Sequence, residues 1–578
     1  MPRFSTLAKL MACSMFATLF SITANAAEQI SDFSLIDHTG KSHQLTRYSN
    51  RDAIVLFVYD KDSELVEDAV SDLTDVAEHF AESRIEFFMI DSTGIADKAV
   101  ITAAADDADI EFRILMDDTQ LVSEELGITR AGEALIINPA SKEVIYRGAL
   151  NDRFSEGSSR RRAREHYLQD ALQSVLDGEE ITVAETASKG GAVQYSVRNT
   201  HQAEGISYAR EVAPILEARC VACHQVGGIA PFAMSNHQMV QGWSPMIRES
   251  LYTKRMPPGQ IDNDYLENFH NINHITPAET QTLVHWIDNG SVNNDETDPL
   301  TTAELATSSW MNGEPDIIVP IPPQAIPATG VVEYRNLQVP LDLEEDIWVK
   351  AVEFLPGDTT VLHHIIAFSY GPGGLNQFEI LNQGIGLGAY APGNRVNLYP
   401  EDTGYPLRVG GGLMLQLHYT TSGREAVDAS EIGLYLYDEE PRQPILGGSA
   451  AIMDLHIPAY AEDHQLVATK VFRDDAYLTM VGPHMHYRGK EARFILKYPD
   501  GTEEMVLNIP NYQFNWQKTY DFVEPRFVPA GTEMVFEGAF DNSEMNPFNP
   551  DPTIELNWGE QTWNEMFFGF IRYYDALD

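Results

Sequence analysis

The sequence predicts a multidomain protein in which one α/β domain, one all-α domain and two all-β domains follow one another. A chain of 578 residues is too long for a single hydrophobic core. Strand-like and helix-like segments alternate over residues 27–185, whereas helical periods dominate residues 206–300. The C-terminal half consists of short alternating strands separated by Gly, Pro, Asn and Asp turns, and a break near residue 440 divides it into residues 310–440 and 441–578.

The N-terminus has the pattern of an export signal. Arg3 and Lys9 form a short basic region, an apolar run extends from Leu10 to Ile22, and Ala24-Asn25-Ala26 fits an A-x-A cleavage site. The run is shorter than the roughly 18 apolar residues of a membrane span, and no later segment reaches that length. We therefore expect residues 1–26 to be a cleaved signal peptide, and the mature protein to be periplasmic or secreted without stable membrane insertion.

The balance of charge is strongly acidic. The chain contains 86 Asp and Glu residues against 39 Lys and Arg residues, a formal net charge of −47. This charge repels nucleic acids and anionic membrane surfaces. The composition argues against both as partners, and it is compatible with a cationic redox partner or with a solubilising acidic surface.

In the α/β part, residues 53–60 and 85–93 are predicted to be buried strands with an amphipathic helix between them. The order of elements resembles the thioredoxin-like redoxin family. In that family a reactive cysteine follows the first core strand, but here residues 59–63 contain no thiol, and the family's cis-proline is missing from residues 130–133. Because a thiol peroxidase needs a thiolate, we expect residues 27–185 to be a docking or structural module.

Residues 155–205 are predicted to lead from this domain to the next one. A basic patch at residues 160–164 opens a predicted helix that runs to about Leu176. A polar stretch rich in Ser and Gly follows, and we predict that residues 186–205 form a linker.

Only two cysteines lie outside the signal segment, Cys220 and Cys223, and His224 follows them directly. A C-x-x-C-H motif in an exported protein is typical of covalent haem attachment, whereas a redox C-x-x-C pair does not need the histidine. We therefore predict one c-type haem, covalently bound to Cys220 and Cys223, with His224 as its proximal axial ligand. The predicted export agrees with this, because c-type haem is attached outside the cytoplasm.

Residues 206–300 resemble a small cytochrome c. One predicted helix leads into the haem motif and another runs from about His237 to Lys254. A last helix has Thr276 as its N-cap, followed by Pro277 and Glu279 in its first turn.

The distal haem ligand must be a thioether or an imidazole from across the haem pocket. The resemblance to cytochrome c favours Met256 in the Met-Pro-Pro segment, where prolines stiffen the loop. His270, His274, Met239 and Met246 remain alternatives. Ligation by His and Met raises the reduction potential of a haem and suits electron transfer.

The β half contains seven histidines: His363, His364, His418, His456, His464, His484 and His486. His484 and His486 are two residues apart on a predicted strand and therefore share a face. His363 and His364 point to opposite faces of a regular strand, and reach one metal only at a bulge or a strand end, or by using different ring nitrogens. A single buried histidine is usually just hydrogen-bonded, but an H-H pair, the strand residue His418 and an H-x-H motif together indicate metal binding. His456 and His464 lie in polar, loop-like sequence and are predicted to be structural.

Sites made of imidazoles and thioethers suit copper. The segments HHIIAF, LHYTT and PHMHYRG, in this order, resemble the copper type II monooxygenases, such as peptidylglycine α-hydroxylating and dopamine β-monooxygenase. The resemblance implies two jelly rolls that hold one copper ion each. The first copper ion has three histidine ligands, which are His363, His364 and His418 here. The second has an H-x-H pair and a methionine, which correspond to His484, His486 and Met566.

Met545 is the alternative to Met566, whereas Met485 is predicted to point to the opposite strand face from its flanking histidines. Some features depart from the family. The β half contains no cysteine, although the animal enzymes are disulfide-rich. The family's substrate-binding arginine, asparagine and tyrosine correspond to Gly482, Phe568 and Phe570, so a glycine-extended peptide substrate is not implied.

We therefore expect a copper-dependent monooxygenase that uses O2 to hydroxylate a small-molecule or peptide substrate. Its own c-type haem is expected to supply the electrons, which a periplasmic donor can deliver. The alternative is an electron-transfer or copper-handling protein without hydroxylase activity.

Overall fold

The computed structural model describes residues 28–577, except residues 156–157, 227, 229, 271, 303–309, 375–386, 393 and 517. The predicted signal peptide lies outside the described residues. Among the described helices, none combines the length and the apolar character that a membrane span requires.

The α/β domain is built on an eight-stranded mixed sheet with the order β1-β8-β7-β4-β5-β6-β2-β3. Its strands are β1 Glu28–Gln29, β2 Ser34–Asp37, β3 Ser42–Gln44, β4 Ala53–Tyr59, β5 Ile85–Asp91, β6 Arg113–Met116, β7 Glu133–Asn138 and β8 Glu143–Ala149. Its helices are α1 Glu64–His79, α2 Lys98–Asp107, α3 Leu121–Glu125 and α4 Tyr167–Asp177, and a small hairpin joins β9 Phe154–Ser155 to β10 Ser158–Ser159.

Strand β4 is buried on both faces, as its continuous apolar sequence predicts. Val55 and Phe57 pack under α1 and α2. Ile54, Leu56 and Val58 belong to a second core, which continues into the helices that follow the α/β domain. The domain therefore shares a hydrophobic core with the helical region.

Two sequence predictions about the connection are wrong. Helix α4 begins at Tyr167 and does not include the basic patch, where Arg160 is instead paired with Asp152. The predicted linker contains a helix, α5 Ser196–Glu204. This helix has no buried residue, and its polar sequence lacks the apolar period that marks a packed helix.

The helical region contains a π-helical turn at Tyr208–Val212, α6 Ala213–Arg219, α7 His237–Tyr252 and α8 Pro277–Asp288, with 3-10 turns at Asn263–Asn268 and Pro299–Thr301. The predicted start of α8 is confirmed, because Thr276 and Glu279 form a reciprocal capping box. Helix α7 ends at Tyr252, two residues before the predicted end.

The first β region consists of β11 Ile317–Pro320, β12 Gln324–Ile326, β13 Arg335–Pro340, β14 Ile347–Leu355, β15 Leu362–Tyr370, β16 Gly388–Tyr390, β17 Val396–Leu398, β18 Thr403–Leu407, β19 Gly412–Tyr419, β20 Ala426–Asp428, β21 Glu431–Leu436 and β22 Gln443–Pro444. One sheet has the order β11-β21-β14-β18-β22, with β17 also paired to β14, and another has the order β13-β19-β15-β16. Val352 and Phe354 of the first sheet share a core with Ile365 and Leu415 of the second.

The second β region consists of β23 Leu446–Ile452, β24 His456–Ile457, β25 His464–Val471, β26 Ala476–His484, β27 Gly489–Lys497, β28 Glu503–Ile509, β29 Tyr520–Val528, β30 Glu533–Phe540, β31 Leu556–Asn557 and β32 Phe567–Asp575. Its main sheets have the orders β23-β32-β26-β29 and β25-β30-β27-β28. His456 and His464 belong to strands, so their prediction as loop residues is wrong.

A small apolar cluster joins the two β regions, and we call it the interdomain cluster. Its members are Ile366, Phe368, Ala389, Met480, Met566, Phe568 and Phe570. It connects the sheet that contains β15 with the sheet that contains β26 and β32. Both sheets carry candidate ligand histidines, so the cluster brings the two predicted copper sites to one interface.

The buried carboxylate of Asp37 gives a testable prediction for the α/β domain. It accepts hydrogen bonds from the backbone N–H groups of Thr39 and Lys41, at 2.8 and 3.0 Å, and lies 3.0 Å from the His43 ring. Although burial opposes the effect, the hydrogen bond and charge of His43 lower the pKa of Asp37. A lowered pKa stabilises the fold above the unfolded-state value of about 3.9, and this contribution is lost as the pH falls below it.

We expect Asp37→Asn to lower the free energy of unfolding by about 1–3 kcal/mol at pH 7. Urea unfolding at pH 7 and at pH 3 measures this, and the difference from wild type should shrink at pH 3. Glu64→Gln, at an exposed position of α1, is the control. An undiminished difference at pH 3 would contradict the assigned role of the charge.

Candidate metal centre

Three histidines of the first β region converge on one point. Strands β15 and β19 are antiparallel and place His364 opposite His418, with a register shift between Leu362 and His364. This irregularity lets His363 and His364 turn to the same point, as the sequence required. One ligand nitrogen from each of His363, His364 and His418 lies within 4.8 Å of the others.

The donor atoms of this group suit a metal ion. Among the described residues, His363 Nε2, His364 Nε2 and His418 Nδ1 are buried and have no hydrogen-bond partner. Burial lowers the pKa of His363 to about 4, and burial with the neighbouring imidazoles lowers that of His418 to about 2. The rings are therefore neutral at pH 7 and offer lone pairs, which is what a three-imidazole copper site requires.

The H-x-H pair occupies the end of β26. His484 and His486 are both buried, and their ring centroids are 5.2 Å apart. The Nδ1 atom of His486 lies 3.2 Å from the carbonyl oxygen of Asn564, whereas its Nε2 atom is buried without a partner among the described residues. Met485 packs in the core of the second β region, so its predicted orientation away from the histidines is confirmed.

Met566 lies directly before β32, which pairs with β26 so that Phe568 is opposite His484. The paired register ends there, and Met566 lies two residues before Phe568 in the chain. Met566 is buried in the interdomain cluster. The alternative, Met545, lies elsewhere, because its sulfur accepts a 3.0 Å hydrogen bond from Ser49 of the α/β domain.

Glu565 ties the Met566 segment to the histidine pair. Its carboxylate accepts hydrogen bonds from the backbone N–H groups of His486, at 2.8 Å, and Arg488, at 2.9 Å. The side chains of Glu565 and Arg488 are fully buried and lie 3.9 Å apart. Burial raises the pKa of Glu565 to about 8, although these N–H groups and Arg488 favour the charged form.

Two aromatic rings lie between the histidine groups. The Tyr334 ring is 4.6 Å from His418 and 6.4 Å from His486, measured between ring centroids. The Phe514 ring is 5.8 Å from both of these histidines. The Tyr334 hydroxyl is buried without a partner among the described residues. Tyr334 and Phe514 thus each contact histidines of both groups, which sequence reasoning did not anticipate.

The haem motif follows helix α6. Cys220 and Cys223 are free thiols, and burial raises the pKa of both, that of Cys220 to about 12. His224 is largely buried, and its Nδ1 atom lies 3.1 Å from the carbonyl oxygen of Phe232. This contact places the proton on Nδ1 and leaves the Nε2 lone pair for a metal. Two thiols and an oriented imidazole fit a c-type haem.

Met256 is partly buried and lines a cavity between the helical region and the α/β domain. Among the described contacts, none joins it directly to His224. Met239 and Met246 are 39% and 46% exposed on α7, which does not suit a ligand inside a haem pocket. His270, another alternative distal ligand, lies beside the second β region, because its backbone N–H donates a 3.0 Å hydrogen bond to the carbonyl oxygen of Asp521.

The predicted haem motif also interacts electrostatically with residues near the candidate metal-ligating histidines. Cys223 lies near enough to Lys518 and Tyr390 to interact with their charges. Lys518 and Tyr390 line a small cavity together with His364 and His484. Lys518 and Tyr390 therefore interact electrostatically with Cys223 and also line the cavity that His364 and His484 border.

Residues 26–150 match the model of the AhpC/TSA family. The N-terminal α/β domain is a thioredoxin-like redoxin domain. The redoxin domain contains no cysteine, so it lacks the thiol that the family's chemistry would need. No protein of curated function matches the chain.

Solved structures that resemble part of the chain have low identity to it. A hypothetical protein from Sinorhizobium meliloti 1021 is 17% identical, with a TM-score of 0.26, and the match covers 30% of this chain and 94% of that one. Peroxidoxin BcpB from Mycobacterium tuberculosis is 20% identical, with a TM-score of 0.19 and coverage of 21% and 84%. A putative thiol:disulfide interchange protein DsbE from Chlorobium tepidum is 11% identical, with a TM-score of 0.21 and coverage of 26% and 96%.

Proposed function

We propose that this protein is an exported, copper-dependent monooxygenase that hydroxylates an organic substrate with O2 and receives electrons through its own c-type haem. One observation carries the proposal. The group of His363, His364 and His418 lies near the pair His484 and His486, with Tyr334 in contact with both groups, and four ring nitrogens in these groups are buried without partners among the described residues. Buried polar atoms without partners cost about 1–3 kcal/mol each, and metal ligation removes that cost.

The donor set favours copper over other metals. Both groups offer imidazoles, and the second adds the thioether of Met566, whereas among the described residues no cluster of carboxylates or thiolates lies with them. Soft and borderline donors of this kind select copper. Copper, when bound, supplies the one-electron chemistry that reduces O2.

The protein side chains prepare the site for such a reaction. The hydrogen bonds from His486 and Arg488 to Glu565 fix the segment that bears Met566 relative to the H-x-H pair. The interdomain cluster, with Phe568 and Phe570, forms an apolar wall beside Met566. Such a wall excludes water from the reacting groups.

The c-type haem is proposed to supply the electrons that hydroxylation consumes. Hydroxylation converts R–H and O2 into R–OH and H2O, and consumes two electrons and two protons. A c-type haem carries one electron at a time, so two transfers are needed in each cycle. Cys223 interacts electrostatically with Lys518 and Tyr390, which line a cavity with His364 and His484, and this supports electron transfer from the proposed haem to the proposed copper.

The test follows reoxidation of the haem. The haem-containing protein is reduced under anaerobic conditions, loaded with copper and mixed with O2 in the presence of candidate substrates, while haem absorbance and O2 consumption are recorded. We expect reoxidation that depends on copper and is accelerated by a substrate. The matched controls are His484→Ala, which should abolish the copper dependence, and His456→Ala, which alters an exposed histidine of the same β region and should preserve it.

Absence of copper-dependent reoxidation with every substrate tested would contradict the proposal. Copper transfer to a chelating partner without O2 consumption would instead identify a copper-handling protein.

A further inference from the structure

The redoxin domain forms one wall of the cavity that contains Met256. Its residues on this wall include Ser34, Leu35, Thr119 and Leu121, and they face Met256 across the cavity. Tyr252, at the end of α7, donates a 3.2 Å hydrogen bond to the carbonyl oxygen of Leu121. A domain without any thiol is therefore packed against the segment that is predicted to hold the distal haem ligand.

Six residues after Met256, three parts of the chain meet at the carboxylate of Asp262. This carboxylate is buried and forms a salt bridge with Lys98 of the redoxin helix α2. It also accepts a 2.9 Å hydrogen bond from the amide of Asn508 on β28. The same amide donates to the carbonyl oxygen of Gly40 in the redoxin domain, at 2.9 Å.

Strands β28 and β29 of the second β region also contact the backbone between Met256 and Asp262. The hydroxyl of Tyr520 donates a 3.2 Å hydrogen bond to the carbonyl oxygen of Gly259. The backbone N–H of Asp262 donates to the carbonyl oxygen of Asn508 at 3.0 Å. The Met256 segment is therefore fixed at two points by the second β region and at one point by the redoxin domain.

The redoxin domain is itself rigidly joined to the helical region. Leu56 and Leu121 of the redoxin domain lie in one hydrophobic core with Leu216, Leu251 and Trp286 of the helices. Interiors packed in this way transmit a displacement instead of absorbing it. Lys98 is thus attached to a body that is anchored to the haem-bearing helices.

We infer that the redoxin domain is a brace for the distal side of the haem, and that Lys98 and Asp262 are positioning residues that hold Met256 in ligating distance of the iron. This inference rests on the haem of the proposed function and gives the redoxin domain a role that needs no thiol. Among the described residues, Lys98 is the cationic partner of the buried Asp262, and its removal leaves that carboxylate unpaired. The segment from Met256 to Asp262 then moves away from the redoxin domain, and Met256 dissociates from the iron in a fraction of molecules.

The test reads the haem directly, in the full-length haem protein. Lys98→Met is compared with wild type, with Met256→Ala as the reference for complete loss of the ligand. Three properties are measured: the absorption band of methionine-ligated ferric haem, the rate of carbon monoxide binding to the ferrous haem, and the reduction potential. We expect Lys98→Met to lie between wild type and Met256→Ala in all three, with a weaker band, faster carbon monoxide binding and a lower potential.

Lys61→Met is the matched control, because the one ion-pair partner of Lys61 among the described residues is the exposed Asp62 of the same domain, and it should resemble wild type. Lys98→Arg should restore the wild-type spectrum. Gly40→Ala tests the same junction independently, since Gly40 has a φ of +83° and an added Cβ would lie 2.8 Å from the Asn508 amide. We expect it to behave like Lys98→Met, and it serves as the test if Lys98→Met does not fold.

Two results would overturn the inference. Folded Lys98→Met and Gly40→Ala proteins with wild-type haem properties would show that the junction does not position the ligand. A Met256→Ala protein with wild-type properties would show that Met256 is not the ligand. Neither result depends on oxygen chemistry, so failure of the proposed monooxygenase activity is distinguishable from failure of this inference.

Discussion

The His418→Ala protein is expected to bind one copper ion per chain where the wild type binds two. The substitution removes one corner of the three-imidazole group and leaves His363 and His364 as the only described donors at that point. The H-x-H pair lies at the end of a different strand, β26 of the second β region, so its copper should remain. His484→Ala should produce the complementary loss, with retention of the copper at His363, His364 and His418.

The measurement is a metal count on purified protein after equilibration with copper and removal of the excess. A distinct electron paramagnetic resonance signal for each remaining Cu(II) identifies which copper is lost. His456→Ala is the control and should retain both. Two copper ions in both ligand variants would show that these histidines are not ligands, and loss of both ions from either variant would show that the two groups form one cooperative site.

The histidine groups illustrate which parts of a site can be predicted from sequence. The period of two along a strand places His484 and His486 on one face without any knowledge of the fold. The same period showed that His363 and His364 need a bulge, and β15 has a register shift at that position. These arguments are local, because strand geometry relates residues that are neighbours in the chain.

Tyr334 and Phe514 could not be predicted in the same way. Tyr334 lies 29 residues before His363, and Phe514 lies 28 residues after His486. Their positions between His418 and His486 depend on how the two β regions pack together. Packing between separate sheets is determined by many side chains at once, so it leaves no motif in the sequence.

For the redoxin domain, too, the sequence predicts local structure but not the position of the domain in the protein. Its strands and helices follow from apolar runs such as residues 53–59, and its lack of thiol is plain in the sequence. The position of this domain against Met256 could not be predicted, because it depends on Lys98 and Asn508, from two distant parts of the chain, meeting at Asp262. Helix α5 was not predicted for a different reason. It has no buried residues, so its polar sequence resembles that of a linker.

Glu565→Ala is expected to be among the most destabilising substitutions in the second β region. It leaves the buried guanidinium of Arg488 without its carboxylate, and removes the acceptor of the N–H groups of His486 and Arg488. Each buried N–H group left without an acceptor costs about 1–3 kcal/mol, and Glu565 accepts from two of them. Glu565→Gln retains one acceptor oxygen and should cost about 1–3 kcal/mol. Chemical unfolding of the copper-free protein measures both, and Glu555→Ala, at an exposed position, should change stability by about 0.5 kcal/mol or less.

The same substitutions separate a structural role of Glu565 from a role in the metal site. Glu565 adjoins Met566 and accepts the N–H of His486, so it orients two predicted ligands of one copper ion without contacting the metal. Loss of such an orienting group typically lowers metal affinity by about 10–100-fold. We therefore expect Glu565→Gln, which remains folded, to bind the second copper more weakly in a competition titration while the three-histidine site keeps its affinity. Equal weakening at both sites would assign Glu565 to general stability, because only a local distortion at His486 and Met566 can act on one site alone.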